Sequence, residues 1–159
     1  MYILLMRSRT ILSRIVHLIT GAEYTHVAIG VEPNRLYTMT RYDLRFMLPA
    51  GLTLEHEYKQ YPHQLLYLET PEEIRYRLAD ILREYYVHSY RYRYSVLGLL
   101  PAWFGIPWYR ERKMLCSEFA ARVMRESGVY IFPKSDNLVR PMDFLKIPGI
   151  KGVDDNVST

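Results

Sequence analysis

The chain holds one cysteine, Cys116, in 159 residues. A single thiol cannot close an internal disulfide, so nothing in the cysteine usage points to an oxidising compartment. It also excludes a multi-cysteine zinc site, and the histidines at 17, 26, 56, 63 and 88 do not cluster at metal-ligand spacing. Long apolar runs are missing too. The opening MYILLM is too short for a signal-peptide core and has no basic segment before it. Residues 11–19 are interrupted by Arg14 and His17, and no run approaches the roughly 20 residues of a membrane span. With nothing to address it elsewhere, the chain is expected to be cytoplasmic. There is no Gly-rich phosphate loop, GxSxG elbow, internal repeat or nucleic-acid signature. Neither a cofactor nor a nucleic-acid partner is therefore expected.

What is present is a globular balance, with 49% hydrophobic and 24% charged residues. The length suits one domain, expected over residues 1–152 with a polar tail at 153–159. A net charge of +4 suits an anionic or lipid surface, although the basic residues are interspersed with acids, as in Arg110, Glu111, Arg112 and Lys113. Fifteen tyrosines stand against two tryptophans and five phenylalanines. Tyrosine brings apolar area with a polar tip, which fits a groove or a partly exposed core edge.

The pattern predicts a strand at 2–6, a helix at 10–20 closed by Gly21, and a strand at 24–31 running into a Glu-Pro-Asn turn. His17 is read as an ordinary structural or surface histidine. A return strand at 35–41, a turn at Pro49, Ala50 and Gly51, and strands near 52–58 and 64–69 follow. Thr70, Pro71 and Glu73 have the form of an N-cap, N1 and N3, starting a helix that runs to about His88. Residues 95–108, SVLGLLPAWFGIPW, are apolar and broken by prolines and glycines. They suit a buried connector, a substrate-facing lid or a shallow membrane contact. A short final helix is predicted at 142–146.

Two stretches carry chemistry. In residues 115–128, Phe119, Ala120, Val123 and Met124 make one helical stripe, and Gly128 follows as a C′ residue. Cys116 sits at or beside the N-terminus of this helix, with Cys116 or Ser117 as the cap. Free N–H groups and the helix dipole favour a thiolate there. On the helix alone, an inert core cysteine is the simpler reading. In residues 24–31, YTHVAIGV, alternation puts Thr25, Val27, Ile29 and Val31 on a core face and His26, Ala28 and Gly30 on the other. The small residues suit close approach of a helix end beside His26, which would serve as base to a thiol. A histidine satisfied within the core is the competing reading. In the following hairpin, a three-residue loop puts Thr40 opposite His26 and Thr38 diagonal to it, whereas a two-residue loop does not.

Together, Thr25-His26-Val27-Ala28-Ile29 and Leu115-Cys116-Ser117-Glu118-Phe119 resemble the circularly permuted NlpC-type papain-like cysteine hydrolases. The likeness is to the YiiX-like group, related to lecithin:retinol acyltransferase. Histidine before cysteine is the permuted order, and Pro141-Met142-Asp143-Phe144 echoes a further habit of these proteins. The resemblance implies an α+β papain-like fold, an antiparallel sheet packed against helices with the cysteine at a helix N-terminus. It implies His26 as base and Cys116 as nucleophile. A polar residue about twelve positions after the histidine orients its ring in relatives, and Thr38 stands there. Thr40, Glu55 or Glu57 are alternatives, and Tyr24 is a further site candidate as a lining residue or oxyanion donor.

The expected activity is therefore a cysteine peptidase or amidase acting on amide bonds, including peptidoglycan-like ones, through a thioester. Its partner would be a small peptide, amide or acyl substrate. A thiol acyltransferase or lipid-acyl hydrolase is the second reading, with residues 95–108 facing lipid. A non-catalytic binding module on the same fold is the third.

Overall fold

The computed structural model describes residues 1–7, 11–39, 52–55, 61–95, 97–98, 101–102, 104–110 and 112–153. Thr40, His56, Glu57, the turn at 49–51 and the tail beyond residue 153 lie outside the described residues. In chain order the first elements are β1 (Tyr2–Met6), α1 (Ile11–Thr20), β2 (His26–Glu32), β3 (Arg35–Met39), β4 (Leu52–Glu55) and β5 (His63–Tyr67). Then come α2 (Glu72–Val87), β6 (Arg93–Tyr94), β7 (Lys113–Met114), α3 (Cys116–Ser127) and β8 (Lys151–Gly152). Short 3₁₀ turns lie at Ser89–Arg91, Asp136–Leu138 and Pro141–Lys146, so the predicted last helix is 3₁₀ in form.

Six strands make one antiparallel sheet in the order β4-β3-β2-β1-β5-β8. β1 is central and reads YILLM because both its faces are covered. On one side, Ile3, Leu5, Val27, Ile29, Tyr37 and Met39 pack with residues of α2 and α3. On the other, Leu4, Met6, Ala28, Leu36 and Leu65 form a smaller cluster. The chain is thus α+β, an antiparallel sheet with helices. No described helix is long and apolar enough to cross a membrane.

The stripe of α3 faces the sheet as its periodicity requires: Phe119, Ala120, Val123 and Met124 are fully buried. Gly128 ends the helix with φ +80°, a conformation that favours glycine. However, α3 does not settle on the small-residue face of β2. It packs with Val27 and Ile29, which offer more apolar area to bury. The small residues serve a different neighbour. A Cβ on Gly30 would stand 2.2 Å from the Arg35 carbonyl oxygen, so glycine there admits the β3 backbone.

That close approach marks a change of register. At the hairpin tip Glu32 pairs with Arg35, leaving a two-residue turn, but further along Ile29 pairs with Tyr37. The shift between them is a β-bulge. It restores the alignment that a three-residue loop would give, with Thr38 diagonal to His26.

The predicted capping box at Thr70 is not formed. Pro71 takes the cap position without a side-chain bond. The Thr70 hydroxyl instead accepts a hydrogen bond from the Met1 amine at 3.1 Å, and Glu73 pairs with Arg77.

Candidate active site

Cys116 is the first residue of α3, and the cap is Leu115, one position before Cys116 and two before Ser117, the two expected caps. The reason lies at Glu118. Its carboxylate accepts the Leu115 N–H at 3.3 Å, while the Phe119 N–H bonds the Leu115 carbonyl at 2.9 Å and closes the first turn. The first N–H groups of a helix have no intrahelical acceptor. That of Ser117 hydrogen-bonds the Cys116 sulfur.

Opposing effects act on this thiol. Burial pushes its pKa up. The positive charge of His26, a hydrogen bond from its ring, and the N–H groups of Val27 and Ser117 pull it down. The downward effects prevail, and the thiol is held below its ordinary range.

His26 opens β2 and is half-buried. Its Nε2 lies 3.0 Å from Thr38 Oγ1. The Thr38 hydroxyl donates to the Val27 carbonyl at 2.6 Å, so its oxygen receives the Nε2–H. The proton on Nε2 leaves Nδ1 as the basic nitrogen of the neutral ring. Thr38 is completely buried, which fixes this arrangement within the sheet. Glu55 pairs with Leu36 in the β3–β4 ladder.

Tyr24 is buried in the helix-side core. Its phenol is pushed up by desolvation and then by Glu23, which also holds its hydroxyl. The tyrosine beside the sulfur is Tyr94, which the sequence reading passed over. It packs against the same core as Cys116. Burial raises its pKa strongly, and negative charge on Cys116 raises it further. Tyr94 reaches this place because β6 pairs in parallel with β7, Tyr94 beside Met114, immediately before α3. The alternation Tyr92-Arg93-Tyr94 was the available signal of a strand with one aromatic face.

The opposite flank of α3 is polar. Glu118 and Arg122 form an ion pair at 3.3 Å with both side chains buried. Burial raises the Glu118 pKa to about 7, with Asp136 adding to the rise and Leu115 N–H and Arg122 opposing it. Arg122 also lies 5.2 Å from the centre of the Tyr109 ring. These groups line a cavity of about 330 Å³ whose walls include Arg125, Asp136 and Asn137. Among the described residues, no group of three or more His, Cys, Asp or Glu side chains is placed to hold a metal ion.

Neither a protein-family model nor a curated protein sequence matches the chain. Among solved structures, the fold is similar to the crystal structure of yiiX from Escherichia coli O157:H7, described as a metalloprotein. The TM-score is 0.60 at 14% identity, over 96% of this chain and 94% of that one. Such a likeness shows the fold alone: this chain has a YiiX-like α+β fold.

Proposed function

We propose that the protein is a cysteine hydrolase of amide bonds, with Cys116 as nucleophile and His26 as general base. The observation that carries this reading is the Thr38–His26–Cys116 chain of hydrogen bonds. In it, the ring is held through Nε2 and the thiol is acidified by the same ring. His26 Nδ1 takes the thiol proton, and the thiolate attacks the acyl carbon. The oxyanion so formed meets N–H groups at the start of α3. Collapse expels the amine, which takes its proton from His26, and leaves an acyl thioester on Cys116. Water, deprotonated by His26, then releases the acid. Tyr94 is assigned the second oxyanion donor, a role first considered for Tyr24. Thr38 is neutral, so it aims the ring without adding charge to stabilise the imidazolium.

A second reading rests on a separate observation. The segment between β6 and β7 exposes Phe104, Ile106 and Trp108 beside the strands that lead to Cys116. An acyl-lipid substrate presented there would make the same thiol a lipid-acyl hydrolase or an acyltransferase.

The test is acyl capture. Wild type, Cys116→Ser and His26→Ala are mixed with p-nitrophenyl acetate and weighed intact by mass spectrometry. A single acetyl adduct on Cys116 in wild type alone supports the reading. Absence of an adduct in wild type leaves a binding module on this fold. Short peptide amides against acylated lipids then separate the two hydrolytic readings.

A further inference from the structure

The excursion joining β6 to β7 has exposed features that the amide-hydrolase reading of Cys116 does not use. Leu97, Phe104, Ile106, Trp108 and Tyr109 are exposed in it, Phe104 at 72% and Ile106 at 56%. An open apolar recess of about 410 Å³ lies among Pro101, Phe104, Ile106, Pro107 and Trp108. Large apolar side chains gathered on one surface loop mark a contact site.

The charge around this loop is as uneven as its hydrophobicity. Residues 89–113 contain Arg91, Arg93, Arg110, Arg112 and Lys113 against Glu111 alone, a net +4. The whole chain has 21 basic and 17 acidic residues, also +4, so the rest of the molecule sums to zero. All of the excess positive charge therefore flanks the apolar loop. Arg93 and Lys113 are paired positions in the exposed part of its stem. The Arg110 guanidinium lies 4.2 Å from the centre of the Trp108 ring, which presents cation and aromatic together.

We propose that Phe104, Ile106, Trp108 and their basic flanks dock the protein on the surface of an anionic phospholipid bilayer. Aliphatic and phenylalanine side chains enter the acyl boundary, tryptophan and tyrosine settle at headgroup depth, and arginine and lysine pair with phosphates. A second copy of this chain brings the same positive charge to the contact and is disfavoured by it. β7 runs directly into Leu115 and Cys116, so the docking segment is tethered through one short strand to the start of α3. The docking does not depend on the thiol and is measurable without it.

Both tryptophans of the chain, Trp103 and Trp108, lie in this segment, so tryptophan fluorescence, excited selectively at the red edge where the tyrosines do not absorb, reports on it alone. The full chain carrying Cys116→Ser is titrated with phosphatidylcholine vesicles, with and without phosphatidylserine, and sedimented with them. The expected result is a blue shift and co-sedimentation with the anionic vesicles, at least about tenfold weaker without phosphatidylserine or at high salt. Phe104→Asp with Ile106→Asp abolishes it. Arg110→Glu with Arg112→Glu weakens it by roughly tenfold or more, with far-UV circular dichroism as the folding control. The proposal is overturned if neither vesicle shifts the wild-type fluorescence, or if binding is equal on neutral and anionic vesicles. Wild-type binding by the Phe104/Ile106 variant also overturns it. So does a concentration-dependent dimer that replaces vesicle binding and disappears in that variant.

Discussion

Thr38 meets the His26 ring as an acceptor, because its own proton is committed to the Val27 carbonyl. One hydroxyl thereby selects the tautomer of the ring that faces the thiol. Thr38→Val removes the acceptor and leaves the Val27 carbonyl without this donor. Alkylation of Cys116 at neutral pH should then slow by roughly tenfold, with about 1–2 kcal/mol of stability lost. Thr38→Ser keeps the hydroxyl and should recover most of the rate. Equal rates in all three proteins would remove Thr38 from the site.

The thiol itself gives a simple readout, since the chain has no other. Wild-type Cys116 should react with iodoacetamide well below the free-cysteine range of about 8.5. His26→Ala removes the largest downward effect on the pKa and leaves burial unopposed by the ring. Its reaction profile should move to higher pH than that of the wild type. Superimposed profiles would separate the two residues chemically.

Tyr94→Phe keeps the ring in the core and deletes only the hydroxyl. If that hydroxyl donates to the oxyanion, turnover should fall by about 10²-fold. The alkylation rate, which forms no oxyanion, should change little. A variant that slows both equally would show Tyr94 acting on the thiol rather than on the intermediate.

Glu118 should make stability depend on pH in the less usual direction for an acid. Burial raises its folded pKa from the ordinary 4.5 to about 7. The folded state therefore binds more protons than the unfolded state between these values, and stability falls as pH rises through them. The loss should be on the order of 2–3 kcal/mol, complete above about pH 7. Denaturant midpoints measured from pH 4.5 to 8 should show this slope in wild type and lose it in Glu118→Gln. Parallel curves for the two proteins would contradict it.

Gly30→Ala tests the link between sheet and site. The added carbon meets the Arg35 carbonyl oxygen at 2.2 Å. Separation of β3 at that point should cost about 1–3 kcal/mol, and Thr38 should be carried away from His26. Urea unfolding and Cys116 alkylation should both register the change. A variant with altered stability but wild-type alkylation would show that the bulge does not hold Thr38.

Much of this arrangement was legible because it depends on periodicity. The α3 stripe and the alternation of β2 are local patterns, and they placed Cys116 and His26 correctly along their elements. The position of Thr38 was not decidable in the same way, since it depends on a bulge and not on loop length alone. Which face of β2 receives α3 was misread. Small side chains at Ala28 and Gly30 signal close approach, but not which neighbour approaches. Tyr94 was missed because its placement comes from a two-residue parallel pairing across a loop; the alternation Tyr92-Arg93-Tyr94 signals a strand but not the partner it pairs with. Glu118 and Arg122 look like a solvated helix face in sequence. Their burial becomes visible only once the loop carrying Tyr109 is laid over them.

The bulge between Ile29 and Glu32 separates the shape of the hairpin tip from the alignment of the site. Pro33 and Asn34 turn the chain in two residues, and the ladder then absorbs one position before reaching Thr38. A version of this hairpin with one residue more at the tip and a continuous ladder would bring the same threonine to the same ring. Length variation at the tip is thus tolerated when the ladder compensates for it. A one-residue change on either strand between the bulge and His26 has no such compensation, and it would present a different face of β3 to the histidine.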